Sequence, residues 1–406
     1  MMSELAINGG EKAITLDQKC ALKWPVFGDE EKKRIIEVLD MGSGEAGKGW
    51  YTEAFEFEKE FGENYLGAKY ALAVNNGTAA IHSALFALGI GAEDEVICPS
   101  YTYWASCMPV LCWNAIPVFA EINPKTATLD PEDIKRKITP KTKAIIVVHL
   151  WGMPCEMDEI MEIAQKYNLK VIEDAAQAQG AEYKGKKVGT IGDIGCFSFQ
   201  ASKNLPAIEG GMLVTNKEEY YEKAIALGHY VRIGSLPENS PYKKYRYTCL
   251  GFKYRMHPLA AAIGRMQLKH LDERNKKRNK NIEYLNRRLK ELKGIEVFET
   301  PSSIKRIYYQ YEIVYHQEKL GGVSKGKFIK ALQAEGALIK DERYPLQHKQ
   351  PIYKERNVNP PESLPVSEKL RDKIIALPSF PQAKRELLDQ YVDAFRKVVK
   401  NIEKLK

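Results

Sequence analysis

From Tyr70 to about Val214, short apolar runs of strand length alternate with segments of helical period, and this alternation constrains the fold more than any other feature. Residues 70–75, 95–98, 117–121, 144–150 and 170–174 read as strands, and residues 78–88 and 156–167 read as helices. Strands that alternate with helices imply a largely parallel sheet covered on both faces, so the fold class is α/β. Ligands of such sheets sit beyond the carboxyl ends of strands, which directs attention to the junctions near Gly77, Trp151 and Asp174.

After Met256 the texture changes. Residues 269–293 form a basic run with Ile282, Leu285, Leu289 and Leu292 spaced three and four apart, as in an amphipathic helix with a solvated polar face. A mixed region over 297–336 follows, and a last helix carries the stripe Leu388, Val392, Phe395, Val399 and Ile402, a core-facing pattern. The expected organisation is a large domain over residues 1–255 and a smaller C-terminal α+β domain over 256–406, joined by the long helix. Asn359-Pro360-Pro361 reads as a loop.

Composition removes several function classes. With 44% hydrophobic and 28% charged residues the chain is an ordinary globular protein, and an excess of 61 Lys+Arg over 53 Asp+Glu is mild for 406 residues. The basic residues lack the interleaved aromatics of a single-strand binding platform, so no nucleic-acid partner is expected. Seven scattered cysteines with no C-x-x-C pair suggest neither a disulfide framework nor a zinc site. The longest apolar stretch, residues 144–151, is too short to span a bilayer, and Met1–Ala6 carries no basic-then-apolar leader, so a cytoplasmic, membrane-free protein is expected.

The densest chemical signal is residues 192–211, Gly-Asp-Ile-Gly-Cys-Phe-Ser-Phe-Gln-Ala-Ser-Lys-Asn-Leu-Pro-Ala-Ile-Glu-Gly-Gly. Lys203 stands among small residues, five positions after Ser198 and ahead of a Gly-Gly turn, with room for a bulky group at its tip. A Schiff base requires a lysine able to shed its proton, which partial burial favours. Upstream, Val171-Ile172-Glu173-Asp174-Ala175-Ala176-Gln177 puts a carboxylate at a strand end. Asp174 there would suit a protonated pyridine nitrogen that absorbs electrons; a helix N-cap or a metal ligand are the competing uses, and no phosphate loop supports a metal. Asn75-Asn76-Gly77-Thr78 joins a strand to a helix, where backbone N–H groups and the dipole attract a phosphate. Ser198 can add a hydroxyl, and an aromatic of Tyr101-Thr102-Tyr103-Trp104 can lie on a heteroaromatic ring.

These motifs together resemble the DegT-type (DegT/DnrJ/StrS) sugar aminotransferases, enzymes of fold-type I that use pyridoxal 5′-phosphate (PLP). The resemblance runs from about Pro25 to Pro378 and is strongest between Gly67 and Gly211. It implies a mostly parallel sheet sandwiched by helices with a smaller C-terminal domain. It implies Lys203 as the PLP lysine, Asp174 on the ring nitrogen, Gln177 near the phenolic oxygen, Gly77, Thr78 and Ser198 on the phosphate, and Tyr103 stacked on the ring. A homodimer with shared sites is also implied, the loop from about His229 to Lys253 coming from the partner. Lys253 stands where many members use asparagine to reach the neighbouring subunit's phosphate, and a cation serves a phosphate as well. Ile208 stands where glycine is common, so the turn after the lysine is expected to take a different backbone conformation. His149 matches a frequent family histidine but stays outside the catalytic set, and Glu209 and Arg255 are given loop-orienting and interface roles.

The implied reaction moves an amino group from L-glutamate or L-glutamine to a ketone, with Lys203 as covalent anchor and then acid-base. The acceptor is a nucleotide-linked keto-sugar or a cyclitol of the scyllo-inosose type; Trp24-Pro25, Tyr308-Tyr309-Gln310-Tyr311 and Lys319-Leu320-Gly321-Gly322 resemble the cyclitol branch. Two alternatives are a sugar dehydratase dependent on PLP or on pyridoxamine phosphate, whose members replace the lysine with histidine, and a non-catalytic regulator that keeps the fold.

Overall fold

The computed structural model describes residues 4–42, 49, 51–341, 344–356, 358, 360–361 and 363–406. Seven strands build the main sheet: β1 (Tyr70–Val74), β2 (Glu95–Pro99), β3 (Ile116–Ala120), β4 (Thr142–Val148), β5 (Lys170–Asp174), β6 (Ile194–Ser198) and β7 (Gly211–Thr215). Their spatial order is β1-β7-β6-β5-β4-β2-β3. Strands β3, β2, β4, β5 and β6 run parallel, while β7 is antiparallel to both of its neighbours. The five expected strands match the sequence pattern to within one residue, except that β4 (Thr142–Val148) starts and ends two residues before the 144–150 expected for it. Strands β6 and β7 are harder to see because Gly195, Ser198 and Gly211 dilute their β character. Gly195 has a packing reason: a Cβ there would lie 2.0 Å from the carbonyl oxygen of Gly189.

Eight principal helices flank the sheets: α1 (Asp29–Asp40), α2 (Gly77–Ala87), α3 (Met157–Lys166), α4 (Glu218–Gly228), α5 (Pro258–Leu268), α6 (Leu271–Leu289), α7 (Lys325–Ala334) and α8 (Arg385–Lys400). Helix α2 is apolar nearly all round and packs against both α4 and the sheet, which fixes its N-terminus at the end of β1. In α6, Ile282, Leu285 and Leu289 are buried, and in α8 Leu388, Val392 and Phe395 are buried, as their spacing requires.

A second sheet, β8 (Ile295–Val297), β9 (Tyr311–Tyr315), β10 (Lys340–Asp341) and β11 (Ile374–Leu377), is antiparallel throughout in the order β8-β9-β11-β10. It encloses a second core with α6, α7 and α8, which also takes in Leu5 and Ile14 from the N-terminal arm. Tyr344, Tyr353 and Leu370 return to the first core, so the chain crosses between the two cores more than once. Asn359 of the expected proline loop lies outside the described residues. Among the described residues no helix is long and apolar enough to cross a membrane.

Candidate active site

A cavity of about 570 Å³ opens where β1, β5 and β6 end. Gly77, Thr78, Tyr103, Asp174, Gln177, Ser198 and Lys203 all line it.

Asp174 is the last residue of β5 and only 5% exposed. Its Oδ2 accepts a hydrogen bond from Ser106 Oγ at 2.6 Å and its Oδ1 accepts one from the Ala176 N–H at 3.0 Å. Burial pushes its carboxyl pKa up, against the Ser106 and Ala176 bonds and the charge of Lys203 that pull it down. The carboxylate therefore gains from any cation that reaches it. Successive strand residues face opposite ways, and the preceding Glu173 is a fully buried acceptor on the other side. It takes the N–H groups of Gly189, Ile191 and Gly192 at 2.6–2.7 Å and faces His149 Nε2 at 3.0 Å. The Cys155 N–H donates to His149 Nδ1, which puts the ring proton on Nε2 toward Glu173. His149 does not line the cavity.

Gln177 uses Oε1 to accept from the Trp151 N–H at 2.9 Å, which leaves its amide nitrogen as the donor able to face a ligand. At another part of the cavity, Asn76 caps α2 by accepting from the Ala79 N–H at 2.8 Å. The N–H groups of Gly77 and Thr78, the first of that helix, have no intrahelical acceptor. A Cβ on Gly77 would lie 2.8 Å from Ser198 Cβ, and one on Gly211 would lie 2.4 Å from the Asn76 backbone. Two glycines thus let the β1–α2 turn sit directly on Ser198, bringing two backbone donors and the hydroxyls of Thr78 and Ser198 to one place.

Lys203 is displayed on a loop closed by three backbone bonds: Phe199 N–H to Gly210 C=O, Ala207 N–H to Phe199 C=O and Ala201 N–H to Ile208 C=O, at 2.7–2.9 Å. Trp24 Nε1 donates to the Lys203 carbonyl at 3.0 Å. Ile208 does not avoid the left-handed region that glycine tolerates cheaply. Ile208 itself takes a left-handed conformation, φ +68°, and the Glu209 N–H closes a tight turn onto Ala207 C=O at 2.9 Å. The loop closure imposes this geometry on a β-branched residue that would ordinarily avoid it.

Tyr103 lines the cavity beside Trp104 and Tyr344, with ring centroids 5.2 and 6.1 Å away. Lys253 lies elsewhere, in a separate cleft with Tyr51, Arg255 and His257. Arg255 sits over the rings of Tyr51 and Tyr230. Glu209 does line the main cavity. Ser106 and Tyr344 also belong to the site and escaped the sequence reading; Tyr309 and Gln310, which line it too, stood out only as part of the Tyr308–Tyr311 patch that leads into β9. Ser106 carries no motif, and only its bond to Asp174 identifies it.

The arrangement suits a flat heteroaromatic ring bearing a phosphate and an aldehyde. It offers a buried acid for a ring nitrogen, a lysine for the aldehyde, an anion cradle at a helix start and aromatic rings for the faces. Fold and site together define a PLP-dependent aminotransferase. The model of the DegT/DnrJ/EryC1/StrS aminotransferase family matches residues 25–396, and the chain belongs to that family. It is 35% identical to GDP-perosamine synthase of Escherichia coli O157:H7, over 89% of this chain and 93% of that one. It is 34% identical to a putative L-glutamine:3-amino-2,3-dideoxy-scyllo-inosose aminotransferase of Micromonospora echinospora, over 87% and 83% of the two chains. Among solved structures, an aminotransferase from Psychrobacter cryohalolentis superposes with a TM-score of 0.85 at 32% identity, over 94% of this chain and 99% of that one.

Proposed function

We propose that the enzyme transfers the amino group of L-glutamate or L-glutamine to the ketone of a nucleotide-linked keto-sugar or of a cyclitol of the scyllo-inosose type. The observation that carries this reading is the convergence of Lys203, Asp174 and the Gly77–Thr78–Ser198 cradle on one cavity. Bound PLP supplies an electron sink for the pair released when a Cα–H bond breaks. Lys203 would anchor it covalently and, with its amine free, would serve as the base that takes and returns the substrate's Cα proton. Asp174, fixed by Ser106, would keep the ring nitrogen protonated, Gln177 would donate to the phenolic oxygen, and Tyr103 would stack on the ring. The rest of the cavity, with Gln200, Ser202, Gln310 and Tyr344, offers the hydroxyl, amide and aromatic surface that polyhydroxylated rings use.

Both acceptor classes appear in the names of the relatives, and the retained lysine sets the chain apart from the dehydratase alternative. Steady-state assays of a keto-sugar nucleotide panel against scyllo-inosose, each with glutamate and with glutamine, choose between them; turnover of none would overturn the reading. We place the protein in the cytoplasm as a homodimer in which Lys253 and the 229–253 loop serve the partner's site. The exposed Tyr230, Val231, Tyr247 and Phe252 on that loop support this arrangement. Dilution to monomers should then abolish activity, and stably active monomers would refute the shared site.

A further inference from the structure

Lys203 Nζ lies over the ring of Tyr309, 4.4 Å from its centroid. An ammonium on an aromatic face is attracted by the ring quadrupole, the more so when partly desolvated. The ring is held from several directions. Tyr309 OH pairs with Ser202 Oγ at 2.8 Å, and Ser202 Oγ lies 2.7 Å from Gln200 Oε1, which also accepts the Ser202 N–H. A carbonyl oxygen only accepts, so Ser202 gives its proton to Gln200 and Tyr309 must donate to Ser202. The backbone is pinned too: the Tyr309 N–H donates to Trp151 C=O at 3.3 Å and the Ile307 N–H to Gly152 C=O at 3.2 Å. A Cβ on Gly152 would lie 1.9 Å from the Ile307 oxygen, so only glycine allows this approach. The turn that holds Gln177 through Trp151 therefore also holds Tyr309.

In the aminotransferase cycle assigned to Lys203 above, on which this inference rests, the amine is covalently engaged at some stages and free at others. When free, its lone pair takes H⁺ from the substrate carbon, the bonding electrons pass toward the cofactor ring, and the same proton is later returned. We propose that Tyr309 is a positioning residue that receives the free Lys203 amine on its ring face and holds it there while it carries the proton. The other charged and titratable groups around the cavity are Asp174 at the end of β5, Glu209 on the lysine loop, Tyr103 after β2 and Tyr344 on the C-terminal segment. Arg278 on α6 is 2% exposed, stacks on Trp24 at 4.5 Å and leaves Nε and Nη1 without a partner among the described residues.

Substitution of residue 309 by phenylalanine and by 3,4,5-trifluorophenylalanine holds shape nearly constant while fluorine withdraws the negative face. Two readouts apply to the purified enzymes. In cofactor-free protein, acylation of Lys203 by a limiting anhydride, followed by peptide mass spectrometry at one fixed pH, should run roughly three- to tenfold faster in the fluorinated variant, because the amine is held less firmly on the ring face. In loaded enzyme, the deuterium isotope effect with α-deuterated glutamate should rise in the fluorinated variant while KM stays level. Equal labelling rates and equal isotope effects in the two folded variants would overturn the proposal. A Lys203→Ala variant that keeps both the visible absorbance of lysine-bound cofactor and its turnover would instead overturn the role of Lys203, so the two failures are distinguishable.

Discussion

The two neighbouring acids at the end of β5 have opposite surroundings. Around Glu173 every donor is paired, with three backbone N–H groups and an imidazole converging on one carboxylate. Around Asp174 partners are fewer, burial raises the pKa, and the nearby loop holds Ile208 at φ +68°. One side of the strand uses its acid to hold the fold together; the other keeps its acid short of partners, available to a cation that arrives from outside.

The sharpest way to break this contrast is to neutralise each acid in turn. Asp174→Asn should cut turnover roughly a thousandfold, since the ring nitrogen loses the group that keeps it protonated. In the cofactor-free protein the same change should not destabilise. The folded pKa of Asp174 is raised, so its ionised form costs stability above the ordinary carboxylate range, and asparagine removes that cost. Thermal melts of cofactor-free protein check this; a marked loss of stability in the asparagine variant would put Asp174 in the same class as Glu173. Glu173→Gln should lower stability by about 3 kcal/mol, because an amide nitrogen would then face backbone donors in a buried site. Denaturant titration measures the loss, and the surviving folded fraction should still load cofactor with normal absorbance.

The contrast was only half legible in sequence. Glu173 and Asp174 are adjacent letters, and strand periodicity separates their faces, but nothing in the string says which face carries the ligand. The D-A-A-Q resemblance supplied that. The cavity groups contributed by residues 70–210 could be read because each sits at a strand end inside a local motif. Ser106 could not, since its role depends on a turn meeting a strand 68 residues away. Tyr309, Gln310 and Tyr344 come from beyond residue 300, and their placement depends on how the second core packs on the first, which no local pattern encodes. The conformation of Ile208 could not be read from its own preference, because loop closure sets it.

A smaller effect comes from buried histidines away from β5. Burial pulls His82 down to about 4, lowers His348 in spite of its bond to Glu368, and pulls His229, hemmed by Arg232 and Arg255, well below the ordinary range. In the unfolded chain all three take up protons near pH 6.5, before the folded state does. Stability should therefore fall as pH drops from about 6.5 toward 4, with proton uptake on unfolding in that window. His82→Phe, which keeps the stacking on Trp113, should flatten the slope. An unchanged slope would mean that His82 is not among the groups responsible.

The smallest expected effect concerns strain on the cavity side. A left-handed conformation costs an ordinary residue about 1–2 kcal/mol, and glycine escapes that cost but loses roughly 0.5–1 kcal/mol through the greater freedom of its unfolded chain. Ile208 is about half exposed, so little buried apolar surface is lost on its removal. The balance gives Ile208→Gly a net stabilisation of about 0.5 kcal/mol. A denaturant midpoint that rises slightly while kcat falls would mean that the isoleucine keeps the lysine loop stiff at some expense of stability. A midpoint that falls would mean that Ile208 side-chain contacts outweigh the backbone strain, and the contrast between the two sides of β5 would then rest on Asp174 alone.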